Sequence, residues 1–193
     1  PFCFSWANES WTRSWDGSTR HVLIQQDYGD EPDWRRHFDY LLPFFRDRRY
    51  LTLKGKPMFL VYRPEDFPEI DRMIAAWQRW AREAGLPGIS FIKTLTCFDD
   101  QLGSSEYAAI LRSCGASWYH VWPSEKIWHN MVTRHYAPNE LRGAYVGWDN
   151  TPRRAEYARI LSETTPQSFG INMRRQLEAA AAEGCPYVFV NAW

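Results

Sequence analysis

Six short apolar runs in this 193-residue chain each lead into residues able to do chemistry. After FCFSW at 2–6 come Asn8, Glu9, Trp11, Arg13, Trp15 and Asp16. PMFLVY at 57–62 ends in Tyr62 and Arg63, with Glu65 and Asp66 following. ISFIKTL at 89–95 carries Lys93 and Thr94, then Asp99 and Asp100. SWYHVW at 117–122 holds His120 and Trp122, with Ser124 and Glu125 beyond. AYVGW at 144–148 ends in Trp148, followed by Asp149, Asn150 and Arg153, and YVFVNA at 187–192 ends in Asn191 beside Trp193. Indole faces stack on the apolar C–H faces of sugar rings, while carboxylates and amides bind hydroxyls. Apolar walls with a few convergent polar groups make a binding cleft. Any one of these indoles could instead fill a core layer; the set reads as a carbohydrate cleft. Glu9 and Asp149 stand out, because each directly follows an apolar run and has a Trp nearby.

Other chemistries lack support. His120 has no Ser or Cys partner at a triad spacing. His21, His37, His129 and His135 form no metal-ligand pattern, so no metal is expected. No GxGxxG or GxxxxGK[ST] motif occurs, so no nucleotide cofactor is expected either. Asp99 and Asp100 could meet a cation but read as an acidic loop. Glu65 to Phe67, with Asp71 and Arg72, read as a solvated helix start, which makes Glu65 the natural control for Glu9. The four cysteines, Cys3, Cys97, Cys114 and Cys185, are far apart and read as reduced, buried thiols.

The positioning elements follow from periodicity. The six runs are near-continuously apolar, as in strands buried on both faces of a parallel sheet. Trp34, Phe38, Leu41, Leu42 and Phe45 share one helical face, which Pro43 should kink or end. Ile70, Met73, Ile74, Trp77, Trp80 and Ala84 form a second stripe, stopped by Gly85 and Pro87. Ser104 or Ser105 could cap a third helix carrying Tyr107, Ile110 and Leu111 and ending at Gly115. Ser124 could cap a short helix through Ile127 and Met131. Thr165 before Pro166 signals the last helix, with Phe169, Met173, Leu177, Ala180 and Ala181 facing inward and Gly184 and Pro186 ending it. Eight of the eleven tryptophans, Trp128 among them, fall on or just past strands; only Trp34, Trp77 and Trp80 lie in helix stripes. Alternating strand and helix means α/β, either an open doubly wound sheet or a (β/α)₈ barrel short of two strands.

Composition bounds the rest. Thirty-two aromatic residues can bury a core, so disorder is excluded for the chain as a whole. Twenty-three basic residues balance 23 acidic ones, which excludes a chain-wide grip on nucleic acid. No run approaches the length of a membrane span. Pro1 opens on an apolar run with no charged leader and no cleavage site, so no signal peptide is visible and a cytoplasmic location is expected. Both ends read as strands cut from their neighbours, hence as a piece of a longer protein; the rival reading is a mature domain with two terminal strands in its sheet.

The block FCFSWANESWTRSWDG at 2–17 resembles the FCFxWANExWTRxWDG signature of the WbsX-like proteins. These are described as glycosyltransferases of polysaccharide biosynthesis and as resembling glycoside hydrolase family 99. The resemblance continues through LIQQDY at 23–28, YLLPFF at 40–45, GKPMFLVYRP at 55–64, GWDNTPRR at 147–154 and FVNAW at 189–193. Ser10 stands where Asn is expected. The resemblance implies a single catalytic domain over 1–193: an incomplete (β/α)₈ TIM-type barrel containing roughly strands 3–8, truncated at both ends. It implies an oligosaccharide or polysaccharide substrate and glycosidase-like chemistry. The paired catalytic carboxylates would lie just beyond Trp193, so this piece alone would be inactive. Trp6, Trp11, Trp15, Tyr62, Arg63 and Trp148 would line the cleft, with Glu9 and Asp149 binding sugar or supporting the pair. The rivals are a non-catalytic glycan-binding module and a nucleotide-sugar transferase.

Overall fold

A computed structural model describes residues 1–13, 18–95, 108–110, 120–133, 135–147, 149, 151 and 159–191. In chain order these form β1 (Phe4–Trp6), β2 (Trp11–Arg13), β3 (Ser18–Ile24), α1 (Glu31–Phe45), β4 (Thr52–Leu53) and β5 (Lys56–Val61). Then come α2 (Ile70–Glu83), β6 (Ser90–Leu95), β7 (Ala108–Ile110), β8 (His120–Pro123), α3 (Ser124–Thr133), β9 (Glu140–Tyr145), β10 (Arg159–Ser162), α4 (Pro166–Ala182) and β11 (Val188–Asn191). The class is α/β with parallel sheets, and all six apolar runs contain a strand. The chain divides into two compact units, Pro1–Trp11 with Ile24–Thr94, and Thr12–Leu23 with Leu95–Trp193.

In the first unit β5 lies between β1 and β6 and is parallel to both, with Trp6 opposite Val61 and Val61 opposite Lys93. The short β4 returns antiparallel on β5. Helix α1 begins where Asp30 accepts a hydrogen bond from the Asp33 backbone N–H while Asp33 accepts one from the Asp30 N–H. That reciprocal cap satisfies two of the N–H groups a helix start leaves open. Pro43 sits in the last turn of α1, which ends two residues later at Phe45. The predicted stripes bury as expected: Trp34, Phe38, Leu41 and Phe45 on α1 and Met73, Trp77 and Trp80 on α2 pack against Phe59 and Val61. Phe38, Met73 and Trp77 are wholly inaccessible, so truncating Phe38 or Trp77 to Ala should cost ~3–5 kcal/mol. Helix α2 ends in a left-handed Gly85 (φ 82°), with the Leu86 N–H reaching Ala81 O at 2.8 Å and the Gly85 N–H reaching Arg82 O at 3.0 Å. This pair of bonds is a Schellman stop.

In the second unit β9 is flanked by β7 and β11, all parallel, while β8 pairs with β10 and β2 with β3. Residues 108–110, expected in a helix, are strand β7, with Ala108 opposite Glu140. Two small residues and one β-branched residue satisfy either pattern, and pairing with β9 decides it. Tyr107, Leu111 and the proposed Ser104–Ser105 cap lie outside the described residues. Trp128, counted with the strand indoles, is instead a buried residue of α3 packed on Phe169 of α4 at 6.2 Å.

Helix α4 starts at the predicted Thr165–Pro166 signal, with a reciprocal Thr165–Ser168 cap, and ends at left-handed Gly184. Its buried face differs from the expected stripe. Asn172, Gln176 and Ala180 are buried, Phe169 and Met173 are half-buried, Ala181 is exposed and Leu177 is 52% exposed. Gln176 turns inward to Arg142 on β9, which is only 2% exposed. Its guanidinium meets Glu183 at 2.8 and 2.5 Å, Gln176 Oε1 at 3.1 Å and the Val132 carbonyl at 3.2 Å, over the Tyr136 ring at 4.2 Å. A buried cation requires acceptors, and Gln176 and the C-cap Glu183 supply them from α4.

Cys3 and Cys185 are free and partly buried, less enclosed than expected, and burial raises the Cys3 thiol above its ordinary value. Cys97 and Cys114 lie outside the described residues. Among the described residues no helix is long and apolar enough to cross a membrane.

Candidate functional site

The carboxyl ends of β1, β5 and β6 lie side by side, and the residues that leave them meet. Asn8 is fully buried, and its side-chain amide pairs with the Arg63 backbone: Nδ2 donates to Arg63 O at 2.6 Å and Oδ1 accepts the Arg63 N–H at 2.7 Å. The Tyr62 N–H donates to Trp6 O at 3.0 Å, so the β1–β5 pairing continues one step past the strands and closes on a side chain. Tyr28, at the foot of the loop before α1, donates its hydroxyl to Asn8 O at 2.8 Å. Burial, with the nearby Asp66 charge, holds that phenol above its ordinary value. Asn8 is therefore a structural clamp that fixes its neighbour Glu9.

A chain of charges runs across the three strand ends. Arg63 Nε donates to Glu9 Oε2 at 3.2 Å, and Arg63 Nη1 lies 3.8 Å from Glu65 Oε1. Glu65 Oε2 in turn lies 3.1 Å from Lys93 Nζ on β6. The Arg63 guanidinium also sits 5.1 Å from the centre of the Tyr62 ring. Glu9 and Glu65 are 48% and 41% exposed, Arg63 25% and Lys93 only 10%, so the carboxylates face solvent and the cations lie beneath them. Such a row can orient a polyhydroxylated ligand, which offers donors to the carboxylates and acceptors to the cations.

The predicted residues separate as follows. Asn8, Glu9, Tyr62 and Arg63 converge. Trp6 lies beside them but turns toward the helices, meeting Tyr28, His37 and Phe67 edge-on at 6.1, 5.2 and 6.3 Å. Trp11 is 65% exposed on β2, and Ser10 Oγ accepts the Gln26 N–H at 3.0 Å. Asp149 belongs to the other unit and is exposed, its carboxylate accepting both the N–H and the hydroxyl of Thr151 at 2.9 and 2.8 Å. Those bonds hold it below the ordinary carboxylate range, which suits a permanent anion rather than a proton donor. Trp122 is on β8 and Asn191 on β11 opposite Tyr145, with side chains outside the described residues. Trp15, Asp16, Trp148, Asn150 and Trp193 also lie outside them.

Sequence reading missed the parts played by Glu65 and Tyr28. Residues 64–66 form a single 3₁₀ turn, not a helix start, and the turn aims Glu65 back at Arg63 and Lys93. Glu65 therefore cannot serve as a neutral control for Glu9. Only the cross-strand register of Val61 with Lys93 could have revealed the pairing, and a single sequence does not display register. Tyr28 lies 20 residues from the carbonyl it binds.

The sequence profile of the family described as Glycosyltransferase WbsX matches residues 1–122 and 113–193. This chain belongs to that family. It is also similar to the protein WxcX of Xanthomonas campestris pv. campestris, in strains B100 and ATCC 33913, at 28% identity over 215 residues. The match covers all of this chain but only 31% of WxcX, so the chain spans about a third of the curated relatives it matches. No solved structure matches it.

Proposed function

We propose that this WbsX-family domain holds a glycan at the carboxyl ends of β1, β5 and β6 while a glycosidic bond is cleaved or formed. The observation that carries the reading is the row Glu9–Arg63–Glu65–Lys93, with Glu9 fixed by the buried Asn8 clamp. Parallel α/β folds place their sites at strand carboxyl ends. The reading extends to an incomplete (β/α)₈ barrel as one catalytic domain. The sequential order β1–β5–β6 in one unit and β7–β9–β11 in the other supports it, with the β8–β10 pair standing outside that order. In this reading Glu9 and Arg63 bind and orient sugar hydroxyls, exposed Trp11 offers a stacking face, and the residues that protonate and attack the bond come from chain beyond Trp193. Hydrolysis would need an acid and a base or nucleophile flanking the bond.

The test is turnover and glycan affinity of the full-length protein. Glu9→Gln should lower one or both about tenfold, while Glu83→Gln, at the far end of α2, changes neither. Equal, negligible effects of both substitutions would remove the strand-end row from the site.

A second reading, transfer from a nucleotide-sugar donor, is favoured by the family's description and by the paired cations Arg63 and Lys93. A diphosphate donor would compete with Glu65 for them.

A further inference from the structure

Beside the strand-end row the first unit holds a cavity of about 360 Å³, at the small end of the range of ligand pockets. Its walls come from the end of β1, the loop before α1, and the first turns of α1 and α2. Trp6, Tyr28 and Trp34 supply aromatic surface; Asp27, Asp33 and His37 supply polar groups. We infer that this cavity binds one neutral sugar ring, a subsite of the glycan site proposed above and resting on that reading.

Three observations carry the inference. First, Trp6 meets its neighbouring rings at 75°, 81° and 84°, so no described aromatic ring lies flat on its indole. Its indole lines the cavity together with Tyr28 and Trp34, aromatic surface of the kind that packs on the apolar C–H face of a sugar ring. Second, the polar lining accepts hydrogen bonds. Asp27 uses one carboxylate oxygen for the Gly29 N–H at 2.9 Å, and its other oxygen has no partner among the described residues. Asp33 caps α1 and pairs with Arg36. The lining contains two carboxylates and neither Lys nor Arg, which rejects phosphate and uronate and favours hydroxyl donors. Third, His37 is packed edge-on against Trp6 at 5.2 Å and Trp77 at 5.0 Å and makes no hydrogen bond among the described residues. Burial holds its imidazole below the ordinary value, so the ring is neutral at pH 7 and offers one donor and one acceptor. The cavity also shares a wall with the strand-end row, because Tyr28 binds the carbonyl of Asn8.

The experiment is ligand-observed saturation-transfer NMR on the full-length protein. The probes are the methyl glycosides of glucose, galactose and mannose, with methyl glucuronide as the charged comparison. At least one neutral glycoside should be saturated and the glucuronide should not. Asp27→Asn keeps the oxygen that binds Gly29, and His37→Gln keeps a neutral polar group. Each should weaken the neutral glycoside about fivefold, the loss of one hydrogen bond, with unchanged melting temperature for Asp27→Asn at its exposed position. Equal saturation by the glucuronide would overturn the ligand class. A signal insensitive to both variants but lost in Glu9→Gln would overturn the cavity and leave the strand-end reading standing. With no sugar saturated by wild type the cavity inference fails, while the turnover comparison of Glu9→Gln with Glu83→Gln judges the broader reading separately.

Discussion

Lys93 is the residue whose burial gives the strand-end row its energetic weight. An ammonium only 10% exposed is held in part by Glu65, at 3.1 Å. Glu65→Gln removes a charge facing both cations, so it should lower stability by ~1–2 kcal/mol, discounted for the exposure of Glu65. It should also weaken glycan binding, because Arg63 loses one of the two carboxylates that set its position. A denaturant midpoint and a binding isotherm read the two effects. Arg142 makes the stronger case. Hydrogen bonds from its guanidinium lower the Glu183 carboxyl below its ordinary value of 4.5. A carboxylate with a depressed folded-state pKa contributes stability that is complete above the unfolded value and is lost as pH falls through the folded one. The melting temperature should therefore fall as pH drops below about 4.5. Glu183→Gln should cost ~1–3 kcal/mol at neutral pH and flatten that acid dependence, because Arg142 is buried while Glu183 is partly exposed.

At the scale of elements, the ends of the helices are written in local chemistry. Thr165 and Ser168 satisfy each other's backbone N–H groups at the start of α4, at 3.0 and 2.9 Å. Thr165→Ala should destabilise the domain by ~1 kcal/mol while leaving glycan binding unchanged, measured by chemical denaturation beside the binding isotherm. These caps and stops were legible from single residues: Thr165 before Pro166, Gly85 and Gly184 after the last apolar positions. The long apolar strands were legible for the same reason, since burial on both faces removes polar residues from the run. Strand β7 was not, because three residues hold too little periodicity to separate strand from helix. The inward face of α4 was misjudged because hydrophobicity cannot anticipate a buried guanidinium on another element.

For the whole molecule, the proposed function predicts different responses for cleavage and for transfer. If it cleaves, nucleoside diphosphate sugars should leave its melting temperature unchanged and glycan should be hydrolysed without a donor. If it transfers, a donor at 100 times its Kd should stabilise the fold by about 2.7 kcal/mol, visible as a rise in melting temperature. Arg63→Gln should then abolish the rise, because the guanidinium would be holding donor phosphate.

The amino-acid sequence by itself determined the α/β class, the end of α2 and both ends of α4, the first unit's core stripes and the strand ends where polar residues gather. Each of these depends on near neighbours in the chain: a period of 2 or 3.6, a capping residue, a glycine free to take positive φ. Only the tertiary structure decided which strand ends are adjacent, and so that Glu9, Arg63, Glu65 and Lys93 form one row. It alone turned Trp6 toward α1, opened a cavity beneath it, and set Arg142 against α4. Those outcomes depend on register and on pairing over long loops, and a charge finds its partner there only once the chain has folded.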